Sequence, residues 1–311
     1  MGIGKIAVVG SGAIGLYYGA RLAMAGEDVH FLMRSDYEEA ARHGIRVRSG
    51  GKEDLLEKPH IYRFAKEIGP CDWVIIGLKS TSNAALRELI PPLLQRTTSL
   101  LTLQNGLGNE ELLASQFGQD RVLGGLCFVC LNRIAPAVVE NFGHGSIHIG
   151  EYGRLPQPRT HTFAQAATAA GLHMVVVNSL REARWRKQVW NVPFNGLSIA
   201  AGSVDVHQII QDAGTRALAA LLMEEVRSVA AALGYRIEAA FQEEMMEKTR
   251  VMGPYRPSSL IDYDAGRPVE VEAIWGEAYR IGRNMDVPVP RLEMLYFLLK
   301  KLTALRVPAQ T

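Results

Sequence analysis

This sequence predicts an α/β fold, with a doubly wound parallel sheet in its N-terminal part and an all-helical C-terminal domain. Three observations carry the prediction. A glycine-rich turn sits directly between an apolar run and a helical stretch, strand-like and helical segments alternate as far as about residue 178, and helical periodicity runs uninterrupted beyond it. At 311 residues the chain exceeds the usual single-domain size, so two domains are expected, 1–178 and 179–311.

The first element is the run Ile6 to Val9 in "KIAVVGSGAIG", short and apolar enough for a buried strand. Gly10, Ser11, Gly12, Ala13, Ile14 and Gly15 follow as G-x-G-x-x-G and open the helical stretch "LYYGARLAMAG". In that context Gly10 permits the tight turn, Gly12 lets backbone approach a pyrophosphate, and Gly15 lets the helix pack on the strand with its amides facing the anion. A Rossmann-type dinucleotide site is therefore expected. The second strand, "DVHFLMR", ends on Arg34, where such folds often carry an acid for the ribose 2′-hydroxyl. A guanidinium pairs with a 2′-phosphate and a carboxylate repels it, so NADP(H) is expected over NAD(H), with Asp36 close by as the competing feature.

Further strand-like runs at 73–79 ("WVIIGLK") and 99–105 ("SLLTLQN") are separated by a helical stretch from Ser82 to Leu94. Each run ends on a polar residue, Lys79 and Asn105, and ligands of open α/β sheets bind beyond the carboxyl ends of strands. These two positions border the cofactor or are solvated loop starts. From 121 to 151 short apolar segments with glycine breaks suggest a β-meander. His144 and His148 alternate there without an acidic or thiol neighbour, which makes a poor metal site. The Pro-containing loop 153–162 precedes an Ala-rich helix at 162–171 and a strand, "HMVVVN", able to rejoin the sheet.

Beyond 179, "GTRALAALLMEEVRSVAAALGY", "VEVEAIWGEAYRIGRNM" and "RLEMLYFLLKKLTAL" all carry aliphatic residues at three and four spacing. In "WRKQVWNVPFN" (185–195), Lys187, Asn191 and Asn195 recur every four residues and form a polar stripe on an otherwise apolar helix. Such a stripe is a wet helix edge or the wall of a polar cavity. A helical domain beside a dinucleotide domain leaves a cleft in which substrate meets the nicotinamide, and the stripe is expected to line it. Pro193 removes the hydrogen bond to the Val189 carbonyl, so a kink or weakened turn is expected between the asparagines. A solvated helix start accounts for Arg184 and Arg186, and "EEMMEKTR" reads as an exposed helix face.

Composition narrows the function classes. A net charge of +2, with basic residues spread along the chain, disfavours nucleic acid. No apolar span is long enough for a membrane helix and no signal-peptide pattern is present, so a cytoplasmic protein is expected. Three cysteines make poor disulfide material. Cys127 and Cys130 form a lone CxxC without further ligands, better explained as semi-buried thiols than as a metal or redox centre, and no metal is expected.

With these motifs placed, "QNG" at 104–106, the W-x-K-x-x-x-N-x-x-x-N helix and "PSSLIDYDAGRPVEVE" at 257–272, the chain resembles the ketopantoate reductases (2-dehydropantoate 2-reductases) over nearly its whole length. The resemblance implies NADPH-dependent reduction of ketopantoate to pantoate, a step toward pantothenate and coenzyme A. It implies Lys187 as general acid, Asn191 and Asn195 as substrate contacts, Asn105 beside nicotinamide and substrate, Lys79 lining the cofactor site, and Glu270 engaging the substrate hydroxyl and the lysine. The serine for the substrate carboxylate is Ser258 or Ser259, because the spacing to Glu270 is one residue shorter than in the family. Asp205 stands near a position where the family carries Asn or another small polar residue, which leaves the exact 2-keto acid open.

The residue chemistry agrees. Hydride transfer to a 2-keto acid builds negative charge on the carbonyl oxygen, which an ammonium stabilises and then protonates. Asparagines orient carbonyl and hydroxyl groups without adding charge, and a serine hydroxyl donates to a carboxylate. Two alternatives share the fold: a reductase of another small 2-keto acid or a β-hydroxyacid or opine-type dehydrogenase, and a non-catalytic NADP(H)-binding sensor. A sensor has no use for a general acid. Apolar helical faces in the second half serve as core or permit a homodimer.

Overall fold

Alternating side chains decide how the first half folds. In the computed structural model, which describes residues 2–143 and 145–306, Ile6 and Val8 enter one apolar core and Ala7 and Val9 another, so β1 (Ile6–Val9) is buried on both faces. There follow α1 (Ala13–Met24), β2 (Val29–Leu32), α2 (Tyr37–His43), β3 (Ile45–Ser49), β4 (Lys52–Leu56), β5 (His60–Tyr62), α3 (Ala65–Ile68) and β6 (Trp73–Ile76). Then come α4 (Leu86–Leu89), β7 (Ser99–Thr102), α5 (Asn109–Phe117), β8 (Val122–Phe128), β9 (Leu131–Ala135), β10 (Val138–Asn141), β11 (Ser146–Glu151), α6 (Pro158–Ala169) and β12 (His173–Val176).

The main sheet has eight strands in the order β12-β11-β8-β7-β6-β1-β2-β5. All neighbours in it run parallel except β8 and β11. The strand expected from "HMVVVN" does rejoin it, as β12. The predicted meander is only partly a meander. β8 and β11 join the main sheet, whereas β9 and β10 leave it for a second, four-stranded sheet ordered β4-β3-β10-β9.

The helix expected at Ser82–Leu94 is broken into 3₁₀ turns at Ser80–Ala85 and Pro91–Leu93 around the short α4. Pro91 and Pro92 supply no amide hydrogens, and Asn83 spends its side chain on Asn109 and Gln104. A buried acid fastens part of the first unit. Glu151 accepts from Arg159 at 2.6 and 2.9 Å and from Thr160 at 2.6 Å, holding the start of α6. Burial works to raise its pKa, but these hydrogen bonds win and hold it below the ordinary carboxylate value.

The second unit is helical: α7 (Leu180–Ala200), α8 (Val206–Gln211), α9 (Ala213–Ala232), α10 (Ala239–Val251), α11 (Ser258–Asp264), α12 (Glu277–Asn284) and α13 (Pro290–Arg306). A π-helical segment, Glu272–Gly276, runs directly into α12. Its core gathers Trp185, Val189, Val192 and Phe194 of α7 with Val226 of α9, Trp275 and Leu292. The α7 assignment is unbroken across Pro193. Arg184 is buried, so the solvated helix start expected there holds only for Arg186, which pairs with Glu182 at 3.0 Å. Much of the "EEMMEKTR" face is exposed, with Lys248 paired to Glu244 at 2.6 Å.

The two compact units are Met1–Gln104 with Asn109–Arg181, and Asn105–Gly108 with Glu182–Thr311. The change of unit thus falls in the first turn of α7, a little beyond the expected 178/179, and one short loop of the first half goes with the second unit. Among the described residues no helix is long and apolar enough to cross a membrane. Among the described residues, Cys71, Cys127 and Cys130 form no disulfide. His144 lies outside the described residues, while His148 of β11 rests against the Phe128 ring at 4.8 Å.

Candidate functional site

In the first unit the three fingerprint glycines are required for different reasons. Gly10 has φ +104°, and a Cβ there would come within 2.7 Å of the Gly77 carbonyl carbon. A Cβ on Gly15 would collide with the Gly10 carbonyl oxygen and crowd Val8, so α1 packs on β1 only without a side chain at that position. Gly77, which lies outside the glycine motif, closes the same knot, 3.0 Å from the Gly15 amide by the same measure. Gly12 differs. A Cβ there would meet only the Gly77 oxygen at 3.9 Å, so nothing within the unit forbids a side chain. The space at Gly12 is what a closely approaching ligand needs.

The helix N-terminus beside it suits an anion. Gly12 is the N-cap of α1 and no side chain caps it, leaving the first-turn amides for a phosphate. Ser11 ties the turn to the end of β2 by donating to the Leu32 carbonyl at 2.9 Å. Arg34 is exposed just past that strand. Its acidic competitor is already engaged: the buried Asp36 side chain accepts from Arg133, from the Ala137 amide at 2.9 Å and from Ser35 at 2.8 Å. Burial opposes its ionisation, yet these bonds together hold its pKa below the ordinary value. Three bonds thus already engage this carboxylate, whereas the Arg34 guanidinium stands exposed at the strand end. Lys79 stands at the N-terminal boundary of the 3₁₀ turn after β6.

In the second unit, helical spacing puts Lys187, Asn191 and Asn195 on one face of α7. Asn191 and Asn195 are both buried. Lys187 Nζ donates to Asn105 Oδ1 at 2.8 Å, which joins two predicted site residues 82 positions apart. Asn195 Oδ1 accepts from the Ser259 amide at 3.2 Å and so joins two more. Ser259 is buried and its neighbour Ser258 exposed, both at the start of α11. Glu270 is buried just ahead of the π-helix. Asp205 caps α8: its carboxylate accepts from the Gln208 amide at 2.9 Å while Gln208 Oε1 accepts from the Asp205 amide at 3.0 Å.

A π-helix, which no local sequence signal marks, ties the Asn105 loop to α7. The Ala273 carbonyl accepts from the Leu107 amide at 2.8 Å, and a Cβ on Gly106, whose φ is +86°, would come within 2.6 Å of the Ala273 side chain. Next to it the Ile274 carbonyl accepts from Gln188 Nε2 at 2.7 Å. Trp275 Nε1 then donates to the Val192 carbonyl at 2.8 Å. Three consecutive residues thus hold the Asn105 loop and α7 in one register. A wider i→i+5 turn redirects carbonyls that an α-helix would use internally. Gln188 lies inside the quoted helix motif, yet its spacing alone gives no sign of this partner.

Comparison with known proteins bears on the family and the fold. The family model described as Ketopantoate reductase PanE/ApbA matches residues 6–154, and its C-terminal counterpart matches 179–303. A 2-dehydropantoate 2-reductase of Nostoc sp. is 38% identical, over 95% of this chain and 94% of that one. The crystal structure of a 2-dehydropantoate 2-reductase from Geobacter metallireducens is 43% identical with a TM-score of 0.93, covering 96% of this chain and 99% of that one. A Methylococcus capsulatus enzyme of the same name is 33% identical with a TM-score of 0.91, covering 98% and 99%.

Proposed function

The chain belongs to the ketopantoate reductase family, and on that premise we propose that it reduces 2-dehydropantoate (ketopantoate) to pantoate with NADPH, with Lys187 as general acid. The observation that carries the residue assignment is the Lys187 to Asn105 hydrogen bond of 2.8 Å on the helix face that also bears the buried Asn191 and Asn195.

NADPH supplies the hydride for the C2 carbonyl. Gly10 to Gly15 would hold its pyrophosphate against the uncapped start of α1, Arg34 its 2′-phosphate, and Lys79 and Asn105 would border it at the strand ends. On the substrate side, the Lys187 ammonium stabilises the charge that grows on the carbonyl oxygen and then gives it a proton. Asn105 aims the ammonium, and Asn191 and Asn195 orient the substrate's polar groups. Glu270 favours the charged lysine and receives the substrate hydroxyl. Of the two serines, Ser259 is the better carboxylate ligand, because its amide is fixed by Asn195. Asp205, committed to capping α8, is left out of the substrate set.

The reaction belongs to pantothenate and coenzyme A synthesis, and three cysteines outside any disulfide suit the reducing cytoplasm. We read the protein as a homodimer: Met294, Phe297, Leu298 and Leu305 form an exposed apolar face on α13. The deciding experiment is a panel of 2-keto acids with NADPH and NADH. Ketopantoate with NADPH is expected to give the highest kcat/KM, well above 2-ketoisovalerate and pyruvate. Equal values across the panel would sink the ketopantoate assignment and leave a reductase of another small 2-keto acid.

A further inference from the structure

Far from the glycine turn along the same sheet, the amino ends of β2 and β5 gather three side chains that the reaction does not use. His30 and His60 are register partners on these parallel strands, and Asp28 stands two residues before His30. With a side-chain period of two, all three project from one face. We propose that Asp28, His30 and His60 form a binding site for a divalent transition-metal cation, of which zinc is the best fit.

The spacing supports this. One ligand atom from each residue lies within 4.8 Å of the others, and no other such group of three occurs among the described residues. His30 Nε2 is 2.9 Å from Asp28 Oδ1, and His60 Nδ1 is 3.7 Å from the same oxygen. Bonds of roughly 2.0–2.1 Å to a tetrahedral zinc place neighbouring ligand atoms about 3.3 Å apart. The two measured separations bracket that value, so small side-chain rotations complete the site.

The surroundings fit as well. The other nitrogen of His30, Nδ1, is 3.1 Å from the Tyr62 hydroxyl. With Nε2 bound to a cation, the Nδ1 proton is donated to that phenol oxygen, the outer contact that fixes a metal-binding imidazole. His30 has a side chain only 10% exposed, whereas Asp28 and His60 are 55% and 60% exposed. One ligand is anchored and two face solvent, which gives the cation an entry path and a water as fourth ligand. Lys5, the cation that acts electrostatically on His30, has its ammonium bonded to the Ile68 carbonyl. Two imidazoles and a carboxylate suit zinc, copper or nickel and not magnesium or calcium. Since β5 is a three-residue edge strand held by β2, the cation would staple it.

The test uses full-length protein without a polyhistidine tag, stripped with chelator and titrated with Zn²⁺ and Co²⁺. One equivalent of Zn²⁺ should bind and raise the thermal midpoint. In His60→Ala, whose exposed side chain can be removed without disturbing the fold, affinity should fall at least tenfold and the thermal shift vanish. Asp28→Asn should weaken binding in the same direction. Bound Co²⁺ should show visible ligand-field bands without the intense thiolate charge-transfer band that cysteine ligation would produce. Absence of stoichiometric binding, equal affinity in both variants, or a thiolate band would each overturn the proposal. None of these readouts depends on the reductase activity.

Discussion

The two units build their proposed functional residues in opposite ways. The first works mainly with backbone: a glycine turn, an uncapped helix start and a strand end, most of it within residues 10 to 34. The second works with side chains drawn from the Asn105 loop, α7, α11 and the approach to the π-helix. A backbone site is fixed by where side chains are missing, so it is compact in sequence. A side-chain site is fixed by packing, and its members lie wherever the fold collects them.

The largest expected effect tests that division directly. Lys187→Ala should lower kcat by about 10²–10⁴, the usual worth of a positioned proton donor, and leave the NADPH dissociation constant within about twofold. A matching loss of cofactor affinity would mean that the lysine belongs to both kinds of site. Next come the two glycines. Gly12→Val should weaken NADPH binding by tenfold or more, about 1.4 kcal/mol, with the thermal midpoint kept. Gly15→Ala should do the reverse and destabilise the fold by about 1–3 kcal/mol, because its Cβ has no room against Gly10. Should Gly12→Val unfold the protein and spare binding, the reading of that cradle is wrong.

A smaller effect sharpens the description of the second unit. Trp275→Phe keeps an aromatic ring but deletes the bond to the Val192 carbonyl and leaves a void at a fully buried position, so stability should drop by about 1–3 kcal/mol with a modest loss of kcat. Unchanged values in urea unfolding and steady-state rate would show that the π-helix does not set the register of α7. The smallest is a pH effect on the first unit. Asp36 and Glu151 have folded pKa values below their unfolded ones, so the stability they contribute is present above about pH 4 and lost as pH falls through the depressed values. Thermal midpoints that do not fall below about pH 4 would contradict this.

Local signals were readable because local geometry produces them. The turn at Gly10–Gly15 and the four-residue recurrence of Lys187, Asn191 and Asn195 follow from backbone sterics and helical period. The second sheet was not readable, since β3 pairs with β10 far along the chain and no periodicity announces a partner. Nor was the clustering of His30 with His60, which depends on strand register. The Ser82–Leu94 stretch misled because its apolar spacing is helical while Pro91, Pro92 and the contacts of Asn83 break it up. Sequence left Ser258 and Ser259 equivalent, and burial distinguishes them.

By itself, then, the sequence determined the α/β class, the glycine turn, the basic end of β2 and the polar stripe of α7, all of which depend on residues within a few turns of one another. Only the tertiary structure decided that Asp36 is spent on Arg133, that the Asn105 loop belongs with α7, and that a π-helix holds both. Hydrogen-bond partners distant in sequence are chosen by packing, and packing is a property of the whole fold.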